Sequence, residues 1–234
     1  MKNRINLLAC ACLMLASSVH AGVVMIGTRV IFPGGASNTT IQLKNPDPLP
    51  YVMQLQLTHE DNSPNDKAPF VIVPPVFRME PNSGQTVRLI ANGAEKLPMD
   101  RESVFYLNFT QLPSQKNTDQ NKNQLIIAIT NRVKIFYRPK DLTGTQNEAY
   151  KYLTFSTEHG KIVVTNPTGY FITVRRAVFS TGNRSITLAQ SVMVAPKSTT
   201  TWPISENITS LSGGQMKLTL VNDYGADIES KRDL

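Results

Sequence analysis

The chain has 234 residues, with 24 Lys and Arg against 17 Asp and Glu, and its two cysteines are Cys10 and Cys12. That length suits two domains of ordinary size better than one. No run of five or six like charges occurs, which argues against nucleic acid as a partner because its recognition usually shows a basic stripe. The basic residues that do gather are Arg132, Lys134, Arg138 and Lys140, and they suggest a local anion site instead.

Taken in chain order, residues 1–21 read as a signal peptide. Lys2 and Arg4 form a short positive region, Ile5 to Ala16 is an apolar run, and Val19-His20-Ala21 offers small residues where a signal peptidase reads. The apolar run is too short for a transmembrane helix, which needs about 20 residues. Nothing later reaches that length, so no membrane insertion is expected. Leu7-Leu8-Ala9-Cys10 resembles an acylation site, but few residues precede Cys10 and the apolar region continues past it. Cleavage before Gly22 removes Cys10 and Cys12, together with Lys2 and Arg4. The mature chain then has no cysteine, carries 22 basic against 17 acidic residues, and depends on its core for stability.

From there on, runs rich in Val, Ile, Thr, Tyr and Phe recur about every ten residues between clusters of Pro, Gly, Asn and Asp. They predict strands at Thr28–Phe32, Thr39–Lys44, Tyr51–Thr58, Phe70–Val73, Thr86–Ile90, Phe105–Thr110 and Leu125–Tyr137. Six more follow, at Tyr152–Phe155, Lys161–Thr165, Tyr170–Phe179, Ser191–Val194, Thr199–Trp202 and Met216–Asn222. No stretch keeps apolar spacing of three and four over three turns, so the fold class is all-β. Arg138 to Gly144 combines a proline, a glycine and polar residues after the longest strand signal. The expected division is therefore 22–140 and 141–234, each an immunoglobulin-like sandwich. Ser114 to Gln124 contains no apolar residue and reads as a mobile loop.

Enzymatic chemistry finds little support. His59 and His159 sit in polar, turn-like contexts without metal-ligand spacing, and the mature chain has no thiol nucleophile, GxSxG elbow or phosphate-cradling glycine loop. The chain reads as a non-enzyme without cofactor, metal or catalytic residue. The strand from Leu125 is more informative. Leu125, Ile127 and Ile129 alternate with Ile126, Ala128 and Thr130, so both faces are apolar. Either the strand is central and buried on both sides, or it is an edge whose apolar side awaits a partner, a feature normally selected against. Arg29 and Lys134 are charges embedded in strand sequence. Each is either solvent-facing on an alternating strand or part of a site where two cations from different strands converge on one carboxylate. Glu102 and Asp223 are natural partners for Arg138, in a network that would hold two domains at a fixed angle.

Several blocks together carry a family resemblance. They are Thr28-Arg29-Val30-Ile31-Phe32, Leu49-Pro50-Tyr51, Pro74-Pro75-Val76-Phe77-Arg78-Met79-Glu80-Pro81, Leu97-Pro98 with Asp100-Arg101-Glu102-Ser103, Lys134-Ile135-Phe136-Tyr137-Arg138-Pro139, and Asn222-Asp223-Tyr224-Gly225. In this order they resemble the periplasmic pilus chaperones of the chaperone/usher pathway. The resemblance implies two immunoglobulin-like β-sandwich domains in a boomerang arrangement with a cleft between them. It implies that Arg29 and Lys134 anchor the C-terminal carboxylate of a pilus subunit, and that Leu125, Ile127 and Ile129 are donor-strand residues entering the subunit's incomplete sandwich. It also implies an interdomain ion network of Glu102, Arg138 and Asp223, a periplasmic location, and pilus subunits and an outer-membrane usher as partners. The short, cysteine-free loop before Leu125 resembles the subfamily serving rod-like, adhesin-tipped pili. Self-association of the free chain over its exposed edge is compatible with the same pattern. The alternative is a secreted structural or adhesive sandwich such as a fimbrial subunit, against which the absence of mature cysteines speaks.

One geometric expectation follows. Ile129 and Lys134 are five positions apart, which places them on opposite faces of a regular strand. If both contact the same client, the strand is expected to bulge between Thr130 and Val133.

Overall fold

The computed structural model describes residues 22–114, 125–203 and 210–234. The signal peptide and all but Ser114 of the polar loop therefore lie outside the described residues. The first part of the chain forms β1 (Val24–Met25), β2 (Arg29–Pro33), β3 (Asn38–Asn45), β4 (Tyr51–Thr58), β5 (Phe70–Val73), β6 (Val76–Met79), β7 (Ser83–Ala91), β8 (Ser103–Pro113) and β9 (Ile129–Arg138). These strands make a four-stranded sheet, ordered β1-β3-β7-β5, and a five-stranded sheet, ordered β2-β9-β8-β4-β6. After one short helix, α1 (Gln146–Ala149), come β10 (Thr154–Glu158), β11 (Lys161–Asn166), β12 (Ile172–Thr181), β13 (Arg184–Val194), β14 (Ser198–Pro203), β15 (Gln215–Val221) and β16 (Asp227–Asp233). They form sheets ordered β10-β11-β14 and β13-β12-β15-β16.

Each sandwich is held by alternation. Ile41 and Leu43 of β3, Met53, Leu55 and Leu57 of β4, and Val87 and Leu89 of β7 point inward around Phe32. Met216, Leu218 and Leu220 of β15 do the same in the second sandwich, beside Trp202 and Phe179. Side chains two residues apart share a face, so every polar residue between them reaches solvent without interrupting the core. The strands that sequence patterning misses are β1, β6, β16 and the first half of β13. β16, Asp-Ile-Glu-Ser-Lys-Arg-Asp, is charged at most positions because it pairs only with β15 and forms a sheet edge. Charge there discourages further strand addition, at the expense of the apolar signal that patterning reads.

The start of the chain changes sheets. β2 pairs in parallel with β9 from Arg29↔Lys134 to Pro33↔Arg138. The preceding residues do not continue along β9: β1 pairs with β3 in the opposite sheet, and Ile26 N–H donates to the Gln42 carbonyl. Gly27, at φ 95°, permits the turn that diverts the chain. Among the described residues, β9 therefore has β2 on its outer edge over 134–138 and no strand there over 129–133.

A matching device anchors one turn in each sandwich. Asn45 and Asn166 are both fully buried and both precede a proline. Asn45 Nδ2 donates to the carbonyls of Leu49 (2.8 Å) and Glu80 (2.9 Å), and its Oδ1 accepts from Asp47 N–H (3.1 Å). Asn166 Nδ2 donates to the carbonyls of Tyr170 (2.8 Å) and Ala195 (2.9 Å), and its Oδ1 accepts from Thr168 N–H (3.1 Å). The amide serves because it supplies two donors and an acceptor in one plane. Asn45→Ala or Asn166→Ala strands several buried backbone groups and is expected to cost about 1–3 kcal/mol in urea unfolding. Solvent-facing Gln42→Ala should change it little.

Candidate functional site

β9 supplies the site. Its inward side chains, Val133, Ile135 and Tyr137, join the first core, while Lys134 and Phe136 alternate with them toward the junction of the two sandwiches. Phe136 is buried there, 5.7 Å from the Phe171 ring, and the Arg29 guanidinium lies 5.7 Å from the Phe136 centroid. The junction is thus apolar beneath and cationic above.

Arg138, at the end of β9, ties the sandwiches together. Its Nε donates to Glu102 Oε1 (2.6 Å), and its two terminal nitrogens form a fork onto Asp223 (2.7 and 2.9 Å). Glu102 Oε2 accepts the Phe171 N–H (2.7 Å), and Glu102 N–H donates to the Gly169 carbonyl (2.8 Å). The Glu102 side chain is only 1% exposed. Burial raises its pKa against the pull of Arg138 and the Phe171 amide. Burial also disfavours charge on Arg138, but Asp223 and Glu102 outweigh it and hold the guanidinium above its ordinary pKa. The turn carrying Asp223 packs directly on Thr28. Gly225, at φ 82°, lies so close that a Cβ would collide with the Thr28 side chain.

Arg29 and Lys134 are register partners on adjacent strands, and both line a cleft of about 230 Å³ between the sandwiches. Its other walls are Thr28, Thr173, Arg175, Ser191, Val221 and Gly225. Among the described residues neither cation has a carboxylate within ion-pair distance. Arg29 Nη1 reaches only the Val221 carbonyl (3.4 Å), and its Nε is buried without a hydrogen-bond partner. Burial lowers the Arg29 pKa, with partial compensation from Asp223 and Glu102 and a further depression by Arg175. Burial likewise lowers Lys134, helped by Arg29 and Arg132 and opposed by Glu60. Two desolvated, under-partnered cations side by side are a ready receptor for an anion that brings its own hydrogen-bond acceptors. Two other members of the basic cluster, Arg132 and Arg138, are engaged. Arg132 lies 4.1 Å over the Tyr106 ring and donates to the carbonyls of His59 and Glu60, and Arg138 holds its two carboxylates.

Two expectations need correction. The strand does not start at Leu125: residues 125–128 have no ladder partner among the described residues, and Leu125, Ile126 and Ile127 are 87%, 51% and 61% exposed. The neighbouring strand explains the limit. Pro113 would come opposite Ile127 and has no N–H to donate, so the ladder ends at Gln111↔Ile129. Nor does β9 bulge between Thr130 and Val133, because its register with β8 is unbroken from Ser103↔Tyr137 to Gln111↔Ile129. Ile129 therefore shares the inward face with Val133 and Ile135, and Lys134 takes the other face. Among the described residues, the central-strand and edge-strand readings each describe one half of β9, covered on both edges over 134–138 and on one over 129–133.

Sequence reasoning missed the second-sandwich wall of the cleft: Thr173, Arg175, Ser191 and Val221. A signal for it exists in the spacing of β12, where the buried positions Ile172 and Val174 are followed by Ala177 and Phe179, a change of parity that marks an inserted residue. Among the described residues no group of three or more His, Cys, Asp or Glu side chains could hold a metal ion, and no helix is long and apolar enough to cross a membrane.

Arg138→Ala is expected to destabilise the protein by about 3–5 kcal/mol in thermal or urea unfolding, because it leaves the buried Glu102 carboxyl without its cation. The double variant Arg138→Leu with Glu102→Leu should recover much of that loss, since it removes the buried pair and leaves only the more exposed Asp223 without its cation.

Comparison with known proteins bears on the whole chain. Residues 22–143 match the family described as pili and flagellar-assembly chaperone, PapD N-terminal domain, and residues 148–232 match the pili assembly chaperone PapD, C-terminal domain. The chaperone protein HifB of Haemophilus influenzae is 36% identical over 227 residues, covering 93% of this chain and 90% of HifB. The chaperone protein MrkB of Klebsiella pneumoniae is 34% identical, covering 94% and 95%. Among solved structures, the YadV chaperone superposes with a TM-score of 0.78 at 29% identity, covering 92% of this chain and all of YadV. The periplasmic chaperone SfaE superposes at 0.70 with 30% identity, covering 91% and 100%.

Proposed function

This chain belongs to the family of pili and flagellar-assembly chaperones, and on that premise we propose how it holds its client. The client is a fimbrial subunit whose own sandwich lacks a strand. Its C-terminal strand pairs along the free edge of β9 over 129–133 and ends against Arg29 and Lys134, which take the terminal carboxylate. The observation that carries this reading is the open edge itself, which stops at the Arg29↔Lys134 pair. A strand that lies on that edge and ends there must run parallel to β9, in line with β2, which follows it on the same edge. Such strand addition uses the main chain for affinity and alternate side chains for selection.

The unbroken register assigns the faces. Ile129, with Leu125 and Ile127 once residues 125–128 extend β9, continues the inward line of Val133 and Ile135 past the end of the first sandwich and into the client's core. Lys134 needs no place on that face, because it meets the client at the end of a strand. Burying a Leu or Ile side chain contributes roughly 1.5–3 kcal/mol, so three offer on the order of 5–9 kcal/mol before ordering costs. A charge-assisted hydrogen bond adds about 1.5–3 kcal/mol. The anchor is thus comparable with one apolar side chain, and its distinct effect is to fix the register.

In this reading the boundary falls near residues 140 and 141, and the network of Glu102, Arg138 and Asp223 sets the angle between the sandwiches. The chain works in the periplasm after export by residues 1–21, without catalysis or ATP, and hands its client to an outer-membrane usher. A fimbrial subunit is not favoured, because matches to both chaperone domains span most of the chain.

Lys134→Ala is expected to fold with a near-normal melting temperature while retaining little subunit in periplasmic co-purification, and normal subunit yield would overturn the anchor assignment. The pH dependence has a definite sign. Burial and the neighbouring cations lower Lys134 below its ordinary 10.5 in the free protein, and a bound carboxylate raises it again. Client affinity should therefore be full below the lowered free-state value and fall as pH rises through it. Isothermal titration across the alkaline range should show proton uptake on binding that is absent in Lys134→Met.

A further inference from the structure

The second sandwich presents a built wall to the same cleft. Thr173 and Arg175 of β12 and Ser191 of β13 face it, opposite Arg29 and Lys134. β12 pairs with β15 through Val174↔Leu220 and then Arg176↔Thr219, so Arg175 is an extra residue with no partner on β15. That bulge turns two successive side chains, Arg175 and Arg176, outward where a regular strand would bury one. Bulges recur where a strand must re-aim a side chain. On the other neighbour, Val174↔Val192 and Arg176↔Gln190 bracket Ser191, which sits at φ 51° although it is not glycine. Backbone in that region is held against local preference by its surroundings. Irregular backbone on both strands thus converges where Arg175 enters the cleft.

From this geometry we propose that Arg175 reads the client: it binds a side-chain carboxylate among the client's last residues, while Arg29 and Lys134 hold the terminal one. The ligand class is an acidic peptide C-terminus, and the inference rests on the carboxylate-anchor reading above. In the free protein Arg175 is parked rather than buried. Its Nε donates to Asp227 Oδ1 (2.7 Å), and its side chain is 53% exposed. Asp227 is the one carboxylate within ion-pair distance of any of the three cleft cations among the described residues. Asp223 and Glu102, the carboxylates that act on Arg29 from farther off, are already engaged by Arg138. A single chain terminus arriving along β9 lies against the first sandwich, and an acidic side chain beside it complements the cation on the opposite wall. The exchange of Asp227 for a client carboxylate is a swap of counterions, so its effect is on selection among clients more than on total affinity.

The test uses the mature full-length chain and synthetic peptides of alternating apolar residues. They carry Asp or Asn at the last, next-to-last or third-last position, each as free acid and as C-terminal amide, and fluorescence anisotropy reads their affinity at low salt. At one of these positions wild type should favour Asp over Asn by about fivefold, the size expected of a partly exposed ion pair. Arg175→Gln should abolish that preference and keep the preference for acid over amide. Asp227→Asn, which frees the guanidinium, should enlarge it. Equal binding of Asp and Asn peptides to wild type, or an Asp preference that survives Arg175→Gln, overturns the inference and leaves the anchor reading standing. Indifference to the terminal amide overturns the anchor reading instead, and absence of binding by every peptide overturns both.

Discussion

The Arg138 guanidinium, shared between Glu102 and Asp223, is the constraint on which the rest of the architecture hangs. It stands at the end of β9, so the strand that completes the first sandwich also meets the second, and every residue upstream has a set distance from the junction. Only a forked, planar cation can donate to one carboxylate through Nε and to another through both terminal nitrogens, which is why lysine is no substitute here. The net stabilisation of such a network is small, because desolvation offsets most of the attraction. Its consequence is geometric: the turn Asn222–Gly225 is seated on Thr28, and the cleft beside Arg29 acquires its second wall.

Opposite solutions to the same edge problem occur in the two sandwiches. β16 closes one sheet with a strand charged at most positions, the usual defence against unwanted pairing. The outer edge of β9 over 129–133 has no such defence, and the apolar residues Leu125 to Ile129 beside it are exposed. It exists because the chain leaves β9 at Arg29 and carries β1 to the other sheet. A strand that could have covered the edge is diverted, and the edge is left with two cations at its stop. In the proposed binding mode, that combination is the place where a client's strand pairs.

Sequence patterning read β9 too simply, and the way it failed is instructive. The family resemblance implied that the apolar residues and Lys134 contact one client, the spacing put them on opposite faces, and a bulge was expected to reconcile the two. The ladder with β8 is regular, and in the proposed binding mode a carboxylate that meets the strand at its edge needs no face shared with the apolar side chains. A bulge does border the cleft, but in β12, where the apolar parity changes between Val174 and Ala177. The change is visible in the residues. Its meaning is not, since an inserted residue reads the same whether it faces solvent or a cleft.

The sequence by itself determined the all-β class, the inward faces of most strands, the family likeness and the network of Glu102, Arg138 and Asp223 at the junction. All of these depend on local alternation, turn chemistry or charge embedded in apolar runs, which are properties of neighbours along the chain. It could not reveal the charged edge strand β16, whose pattern lacks an apolar face, nor the end of the ladder at Ile129, which Pro113 on another strand decides. Only the tertiary structure brought Arg29 beside Lys134, left the β9 edge over 129–133 open among the described residues, and set Arg175 across the cleft from both. Those relations join residues 41 to 146 positions apart. They depend on which strands pair and where the pairing stops, a choice made by packing and hydrogen-bond completion and not by any short stretch of chain.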